Sequence, residues 1–556
     1  MRYALVFSLV LATFFVACTQ YEGQDGRKEK LRSELKSFDR KIVTAIDSAF
    51  IDSVLHADSL IFSPFADQLD AFYSNRSYKL AWYGVSGLRE HAGYLMQYLD
   101  KAELEGVKDT FPAWSRLKAQ MDIAVEADSV SPTDLYLDLL LTTAFFWYAE
   151  KAWSGLPEEK TKALGWFLPR YHLDKSEWLN AALQQNPKGE LLTKAVFRQY
   201  YKLRSQLETY DSLSRAGGWE EVWPKVKTLR AGDTDSIVPA LAKSLFLHGD
   251  LPRADPSNVV SDSLVAAIKR FQFRHGMKPD GVAGPAFFRA LNVPVEERIS
   301  QILLNMERSR WMPSDYPGRY LIVNIPDFSL YGYDDGKQIW TMNVVVGKLL
   351  HETVTFSGKM KNVVFNPYWV VPSGILYKEV IPGVRENRSY LRKHNMEIVD
   401  RKGEVVTADN IDWSKYSKGG FPYTIRQVPG KNNSLGRVKF LFPNSFSIYL
   451  HDTPSRSLFQ EEKRAFSHGC VRVDDPEKLA NYVLAPEGWS PDSVRKALKP
   501  GKEKWVSLKN PVPVFIVYFT AWVEEDGQLH FRPDVYGRDE RLKEELLEMD
   551  RRTTSP

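Results

Sequence analysis

One thiol and two imidazoles are the groups in this chain best suited to covalent chemistry. The run Phe466-Ser467-His468-Gly469-Cys470-Val471-Arg472 sets a cysteine two residues after a histidine. The chain has 2 cysteines, and the other, Cys18, ends an apolar leader. A body with one thiol has no partner for an internal disulfide. Cys470 is therefore a nucleophile, a metal ligand or an inert buried residue. A free thiol titrates near 8.5 and is mostly protonated at neutral pH, so a nucleophilic cysteine needs a base. His468 could take the proton and form a thiolate–imidazolium pair. On an extended strand, residues two apart point the same way, which would align His468, Cys470 and Arg472. Gly469 leaves the approach to the thiol open, and N–H groups near Gly469 and Cys470 could stabilise an oxyanion in acyl transfer. His451 ends the run Ser447-Ile448-Tyr449-Leu450-His451 and could reach the same point. Arg472 could bind a substrate carboxylate or pair with one that shapes the pocket. A set of His451, His468 and Cys470 would also suit a zinc ion with an open fourth position. No His-x-x-x-His or Cys-x-x-Cys spacing accompanies it, so the reading favours a site without metal.

Such a site needs a rigid frame, and from Arg319 onward the apolar period is two, as in strands. Tyr320 to Ile325 reads as a strand. Leu330 to Tyr333 and Gln338 to Val346 flank Asp334-Asp335-Gly336-Lys337, a strong hairpin signal. Val363 to Phe365, Tyr368 to Val371, Phe446 to Leu450 and Val514 to Val523 continue the β character. Between Pro372 and Leu435 the pattern breaks: Glu386 to His394 reads as helix, Asp400-Arg401-Lys402-Gly403 as a turn and Lys418-Gly419-Gly420 as a flexible joint. An irregular segment this long inside a β domain predicts an inserted lid.

Upstream the chain reads as helical. Asp134 to Trp153 has apolar residues on nearly every face, as in a helix buried among helices. The single histidines His56, His91 and His172 lie outside any chemical constellation and read as structural or exposed. Around residues 232–292, Leu264, Ile268 and Phe271 mark one helix face, Pro279-Asp280-Gly281 gives turn chemistry, and Gly284-Pro285 opens a helix carrying Phe287, Phe288 and Leu291. A compact three-helix unit fits. At the N-terminus, Arg2 precedes an apolar stretch from Tyr3 to Val16 that is too short to span a membrane comfortably and has the layout of a secretory signal. Phe15-Val16-Ala17-Cys18 resembles a bacterial lipoprotein cleavage site, which implies lipidation of Cys18, a removed segment 1–18 and a polar tether over 19–30. A plain signal peptide and an uncleaved anchor are the alternatives. Length (556 residues) suggests three or four domains. The net charge of +4 is small and no basic block stands out, so nucleic-acid binding has little electrostatic support.

Three stretches resemble known families. Ile268-Lys269-Arg270-Phe271-Gln272-Phe273-Arg274-His275-Gly276 with Asp280-Gly281-Val282-Ala283-Gly284-Pro285 resembles the type 1 peptidoglycan-binding domain. Ser467-His468-Gly469-Cys470-Val471-Arg472, with His451 upstream, resembles the L,D-transpeptidase signature of YkuD type. Asn366 to Pro372, Pro429 to Gly436, Lys439 to Asn444, Tyr536 to Asp539 and Phe72 to Trp82 resemble its large YcbB-like branch. The resemblance implies a multidomain α+β fold: a helical scaffold (31–230), a peptidoglycan-binding domain (231–295), and a β-rich catalytic domain (319–540) interrupted by a capping subdomain (373–435). It implies Cys470 as nucleophile, His468 as base, the Ser467 carbonyl orienting that base, Gly469 in the same signature, and His451 on the oxyanion side. Substrate contacts fall on Arg472, Tyr449, Trp369, Tyr368 and Asn433. Donor and acceptor tetrapeptide stems of peptidoglycan would be the substrates, carbapenems the covalent inhibitors, with no metal or organic cofactor. The implied location is the periplasmic face of a bacterial membrane, held by the lipid. A carboxypeptidase that gives the acyl group to water, and a non-catalytic wall-binding lipoprotein, are the competing readings.

Overall fold

The computed structural model describes residues 46–553, apart from short stretches at 85–86, 108, 127–131, 170–173, 185–194, 315 and 417–418. The leader, the tether and Cys18, which carry the signal and lipid readings, lie outside the described residues, as do His172 and Lys418.

The chain divides into two compact units, residues up to 93 with 112–144, and 94–111 with 145 onward. The expected buried helix is Pro132–Trp153, with Leu137, Leu139, Leu140, Phe145, Phe146 and Trp147 all removed from solvent. In the first unit, the wholly buried Asp138 carboxylate accepts the backbone N–H groups of Ala81 (2.7 Å) and Trp82 (3.2 Å). Burial raises its pKa to about 7. Tyr73, from the helix Ala66–Asn75, places its hydroxyl 2.7 Å from Thr142 Oγ1.

The second unit holds everything that bears on Cys470. Its three-helix part is Val238–Leu247, Asp262–Arg274 and Pro285–Leu291, around Leu241, Leu245, Ile268, Phe271 and Phe287. Ser261 caps the second helix by accepting the Leu264 N–H, and Pro285 opens the third at a position where a missing N–H costs nothing. The helix Val295–Arg310 then leads into a β domain. In that domain Val438–Leu441 pairs with Leu450–His451 on one side and with Thr355–Phe365 on the other. The ladder therefore closes on itself through Val471–Val473, Lys337–Gly347, Ser329–Asp334, Arg319–Asn324 and Lys504–Val517. Closure leaves these eight strands without a free edge. The expected hairpin is present between Ser329–Asp334 and Lys337–Gly347. Asp335 (φ +45°) and Gly336 (φ +73°) both adopt the left-handed conformation that matches strand twist.

The inserted segment has its own core of Val371, Leu376, Ile381, Val384, Ile398, Trp413 and Ile425. Its antiparallel sheet joins Val405–Val406, Met396–Val399, Thr424–Gln427 and Trp369–Val370. Two expectations are corrected. The strand expected at Tyr368 to Val371 belongs to this cap sheet and not to the barrel. The helix expected over Glu386 to His394 is broken into Ile381–Glu386 and Tyr390–Lys393, because Asn387 turns extended (φ −139°) and its side chain accepts the Ser389 N–H at 2.9 Å.

One buried loop braces the strand that carries the site. Gly347 leaves no room for a Cβ, because the His351 carbonyl occupies that position. Thr353, with 0% exposure, accepts the Gly347 N–H at 2.9 Å and donates to the Gly469 carbonyl at 2.8 Å. The Tyr536 hydroxyl donates to the Gly347 carbonyl at 2.6 Å and accepts the Thr353 N–H at 3.2 Å. Thr353→Val keeps the shape and leaves the Gly347 N–H and the Gly469 carbonyl without their partner. At ~1–3 kcal/mol per stranded buried group, the expected loss for the two is about 2–6 kcal/mol. Thr353→Ser should restore most of it. Urea unfolding of the three proteins checks this, and a Thr353→Val variant as stable as the parent would refute the bracing role.

Candidate active site

Cys470 sits in a turn whose two arms are bonded to one strand. Ala465–Ser467 runs parallel to Lys337–Gly347, with Ser467 opposite Gly347. Val471–Val473 runs antiparallel to it, with Arg472 opposite Val345. His468, Gly469 and Cys470 form the bend between these arms, not the continuous strand expected from sequence. Gly469 makes the reversal with φ +114°, a conformation that favours glycine. Ser467, 2% exposed, locks the bend: its hydroxyl donates to the Cys470 carbonyl at 2.5 Å and accepts the Gly469 N–H at 3.1 Å. The Gly469 N–H is thus committed and is not directed at an oxyanion.

The half-buried Cys470 thiol donates to the Ser447 carbonyl at 3.7 Å. Ser447 has φ +56°, a strained conformation for a residue with a side chain, and it aims that carbonyl at the sulfur. Burial pushes the Cys470 thiol up, against the Tyr449 N–H and hydroxyl and the Arg472 charge, which favour the thiolate. Burial, Lys348, His351 and Arg472 hold the His468 imidazole below its ordinary value, while Glu379 opposes them. Both shifts favour the uncharged forms, and burial is the largest cause of each.

His468 points to the cap. Its Nε2 lies 3.7 Å from Glu379 Oε1, on the single π-helical turn Leu376–Val380, and its ring centroid is 5.1 Å from that of His351. The Ser467 carbonyl accepts the Lys348 N–H at 3.0 Å. Among the described residues it makes no bond to the His468 ring, so the orienting role expected of it is not seen. His451 is 5% exposed, and burial with the Arg472 charge lowers its pKa to about 3. Its Nδ1–H donates to the Asp452 carbonyl at 2.6 Å. A carbonyl only accepts, so Nε2 carries a lone pair and cannot donate to an oxyanion. Arg472 neighbours His451 in register, and its buried Nε has no partner among the described residues.

Seven of the ten expected site residues therefore meet at one place: Cys470, His468, His451, Ser467, Gly469, Arg472 and Tyr449. The other three stand at the root of the cap. Arg426 stacks on the Tyr368 ring at 4.0 Å, and Trp369 packs against the cap core. Asn433, 1% exposed, donates its amide to the carbonyls of Pro367 (3.0 Å) and Val428 (2.9 Å), tying together the two stems of the insertion. Its hydrogen bonds are spent on position, which leaves it no donor for a substrate. Sequence reasoning missed Glu379, His351, Ser447 and Thr353. None lies in a motif, and each reaches the site only through the fold. Among the described residues no group of three or more His, Cys, Asp or Glu could hold a metal ion.

Residues 318–514 match the YkuD family, the L,D-transpeptidase catalytic domain, and residues 67–207 match a scaffold domain. Residues 240–291 match a family described as "Putative peptidoglycan binding domain". A Haemophilus influenzae protein described as "Putative L,D-transpeptidase" is 38% identical over 248 residues, covering 44% of this chain and 50% of that one. The chain thus matches half the length of this relative. Solved L,D-transpeptidase structures overlap it partly. The one from Stackebrandtia nassauensis is 16% identical with a TM-score of 0.21, covering 53% of this chain and 97% of that one. The one from Mycobacterium smegmatis is 14% identical with a TM-score of 0.18, covering 36% and 58%. Overlaps this loose carry no argument. The Cys470 turn lies within the stretch matched to YkuD, and the chain carries an L,D-transpeptidase catalytic domain of the YkuD family together with a peptidoglycan-binding domain.

Proposed function

We propose that the protein is an L,D-transpeptidase that forms 3-3 cross-links in peptidoglycan through a thioester on Cys470. The observation that carries this reading is the thiol itself: half-buried at a locked turn, hydrogen-bonded by Tyr449 and within the field of the Arg472 charge, with His468 one residue beyond Gly469. In acylation, Sγ passes its proton to His468 and bonds the carbonyl carbon of the amide that follows diaminopimelate in a donor tetrapeptide stem. The C–N bond breaks, the departing D-alanine amine takes the proton from His468, and the thioester remains. The side-chain amine of a second stem's diaminopimelate then attacks it. His468 takes the amine's proton and returns it to the leaving sulfur. The Tyr449 hydroxyl and the Arg472 guanidinium are the donors placed to meet negative charge. The cap, whose Glu379 faces His468, favours an amine acceptor by excluding water. Substrate of this kind puts the working domain at the cell wall, in the periplasm, and the Ala17-Cys18 leader is the proposed lipid anchor. Among the described residues, no helix is long and apolar enough to cross a membrane.

Purified tetrapeptide muropeptides test the reaction. Dimer with a 3-3 link and free D-alanine is expected. Tripeptide without dimer would mean carboxypeptidase, and unchanged substrate a retired domain. A carbapenem is expected to leave one covalent adduct on Cys470, seen by intact-protein and peptide mass spectrometry. The adduct should vanish in Cys470→Ala, and an equal adduct there would overturn the assignment.

The pH dependence has a definite sign. His468 must be neutral to accept the proton, and its pKa is lowered, so acylation should stay fast at pH 7 and fall only below the ordinary histidine value of about 6.5. Glu379 favours the charged imidazole, so Glu379→Gln should move this acid limb to lower pH, by less than about one unit for an exposed pair. Alkylation of Cys470 by iodoacetamide should keep rising through pH 9, because the thiol's own pKa is raised. A plateau reached by pH 6 would show that a preformed ion pair exists after all.

A further inference from the structure

Lys439 stands in one row with residues of the site. Val438–Leu441 pairs with Leu450–His451, which pairs in turn with Val471–Val473, so Lys439, His451 and Arg472 lie side by side across three strands. The neighbouring row of Phe440, Leu450 and Val471 is wholly buried in the barrel core. Side chains alternate along a strand, so Lys439, His451 and Arg472 point away from that core. On the other side of Lys439 the row continues through Val364 to Trp505. Adjacent strands are ~4.8 Å apart, which puts Lys439 about 10 Å from Arg472 at the backbone.

The root of the cap meets this row at Lys439. The Lys439 ammonium donates to the Tyr368 carbonyl at 3.3 Å and lies 5.6 Å from the centre of the Trp505 ring. Trp505 is 55% exposed. Its indole N–H donates to one oxygen of Glu503 at 3.0 Å, and the Tyr368 N–H donates to the other at 2.9 Å, so that carboxylate is already engaged. An ammonium has three donors, and the Tyr368 carbonyl takes one. Among the described residues neither Lys439 nor Arg472 forms an ion pair, and the buried Arg472 Nε has no partner. Burial lowers the pKa of both, the cost of holding a charge away from water. Two half-buried cations on one face, with no carboxylate between them, suit an anionic ligand that would offset this cost.

We infer that Lys439 is a specificity-determining residue, whose ammonium binds a free carboxylate of the donor stem upstream of the amide that Cys470 attacks. It rests on the proposed action on stem peptides and adds which part of the stem is read. The row starts at Arg472, two residues from Cys470, and runs to Trp505. A peptide with its reacting carbonyl at the thiol lies along the row, toward the Tyr368 end of the cap. The ~10 Å from Arg472 to Lys439 is about three extended residues at ~3.3 Å each, within the length of a tetrapeptide. Trp505 offers apolar surface at the far end, beside the ammonium.

The probes are a synthetic tetrapeptide stem and the same peptide amidated at the free carboxylate of the residue preceding diaminopimelate. Both are titrated calorimetrically into full-length Cys470→Ala, which holds substrate without turning it over. The free acid is expected to bind at least about tenfold more tightly than the amide, as a charge-assisted hydrogen bond gives. Adding Lys439→Met should weaken the free acid by the same factor and leave the amide unchanged. Lys439→Gln, which keeps a donor for the Tyr368 carbonyl but no charge, should do the same, and Lys439→Arg should restore the preference. With the thiol in place, Lys439→Gln should raise KM for D-alanine release with little change in kcat. Equal binding of acid and amide, a preference that survives Lys439→Gln, or no binding of either peptide would overturn the subsite. If the free acid binds through Lys439 but the parent releases no D-alanine, the catalytic reading fails and the subsite stands. D-alanine release at equal KM from both peptides would keep the catalytic reading and remove the subsite.

Discussion

The site depends on one strand, Lys337–Gly347, which receives both arms of the catalytic bend. Ala465–Ser467 lies along it in parallel and Val471–Val473 in antiparallel sense, so the three residues between must leave the sheet and return within a few ångströms. Only a glycine in the left-handed region makes that reversal without strain, and Gly469 is there. The Ser467 hydroxyl bridges the bend from inside, and Thr353 ties the Gly469 carbonyl back to the Gly347 N–H of the same strand. The position of Cys470 is thus set by backbone hydrogen bonds and two buried hydroxyls. Precision of this sort is what a near-attack geometry requires.

Electrostatics then sets the resting state. Burial pushes the Cys470 thiol up and the His468 and His451 imidazoles down, and the buried Nε of Arg472 has no partner among the described residues. A neutral group costs less to bury than an ion. The buried, unpartnered Arg472 Nε is costly in the free protein, and binding of an anionic group or an oxyanion would relieve that cost. His451 is a buried neighbour whose tautomer is set by the Asp452 carbonyl.

Two further bodies are built onto the barrel with separate cores. The cap is stabilised by its own apolar cluster and is rooted at Asn433, which binds both of its stems, so it can carry Glu379 to His468 as a unit. A π-helical turn at Leu376–Val380 is a feature that recurs at functional sites, and here it presents that glutamate. The three-helix unit is fastened on by Arg274 and Arg532, whose charges are compensated in place by Asp250 and Asp327. Buried hydrogen bonds thus join the three-helix unit to the barrel at this junction.

By itself the sequence determined many of the elements and singled out the thiol. Period-two apolar runs marked the barrel strands, Asp335-Gly336 marked the hairpin, all-round apolarity marked the helix Pro132–Trp153, and the Ser-His-Gly-Cys-x-Arg run marked Cys470, His468 and Arg472. These are local properties, because backbone conformation and side-chain alternation are written within a few residues. Tertiary structure decided the rest. Tyr368 to Val371 reads equally well as a barrel or a cap strand, and only its partner Thr424–Gln427 assigns it. The expected strand through Cys470 became a bend because both flanks found the same neighbour. The direction of the pKa shifts could not be read either: the spacing His-Gly-Cys invites an ion pair, yet burial pushes the Cys470 thiol up and the His468 imidazole down. Glu379, His351, Ser447 and Thr353 enter the site from segments 23–117 positions from their partners in sequence, since a site assembled at a closed barrel's rim draws on loops that only closure brings together.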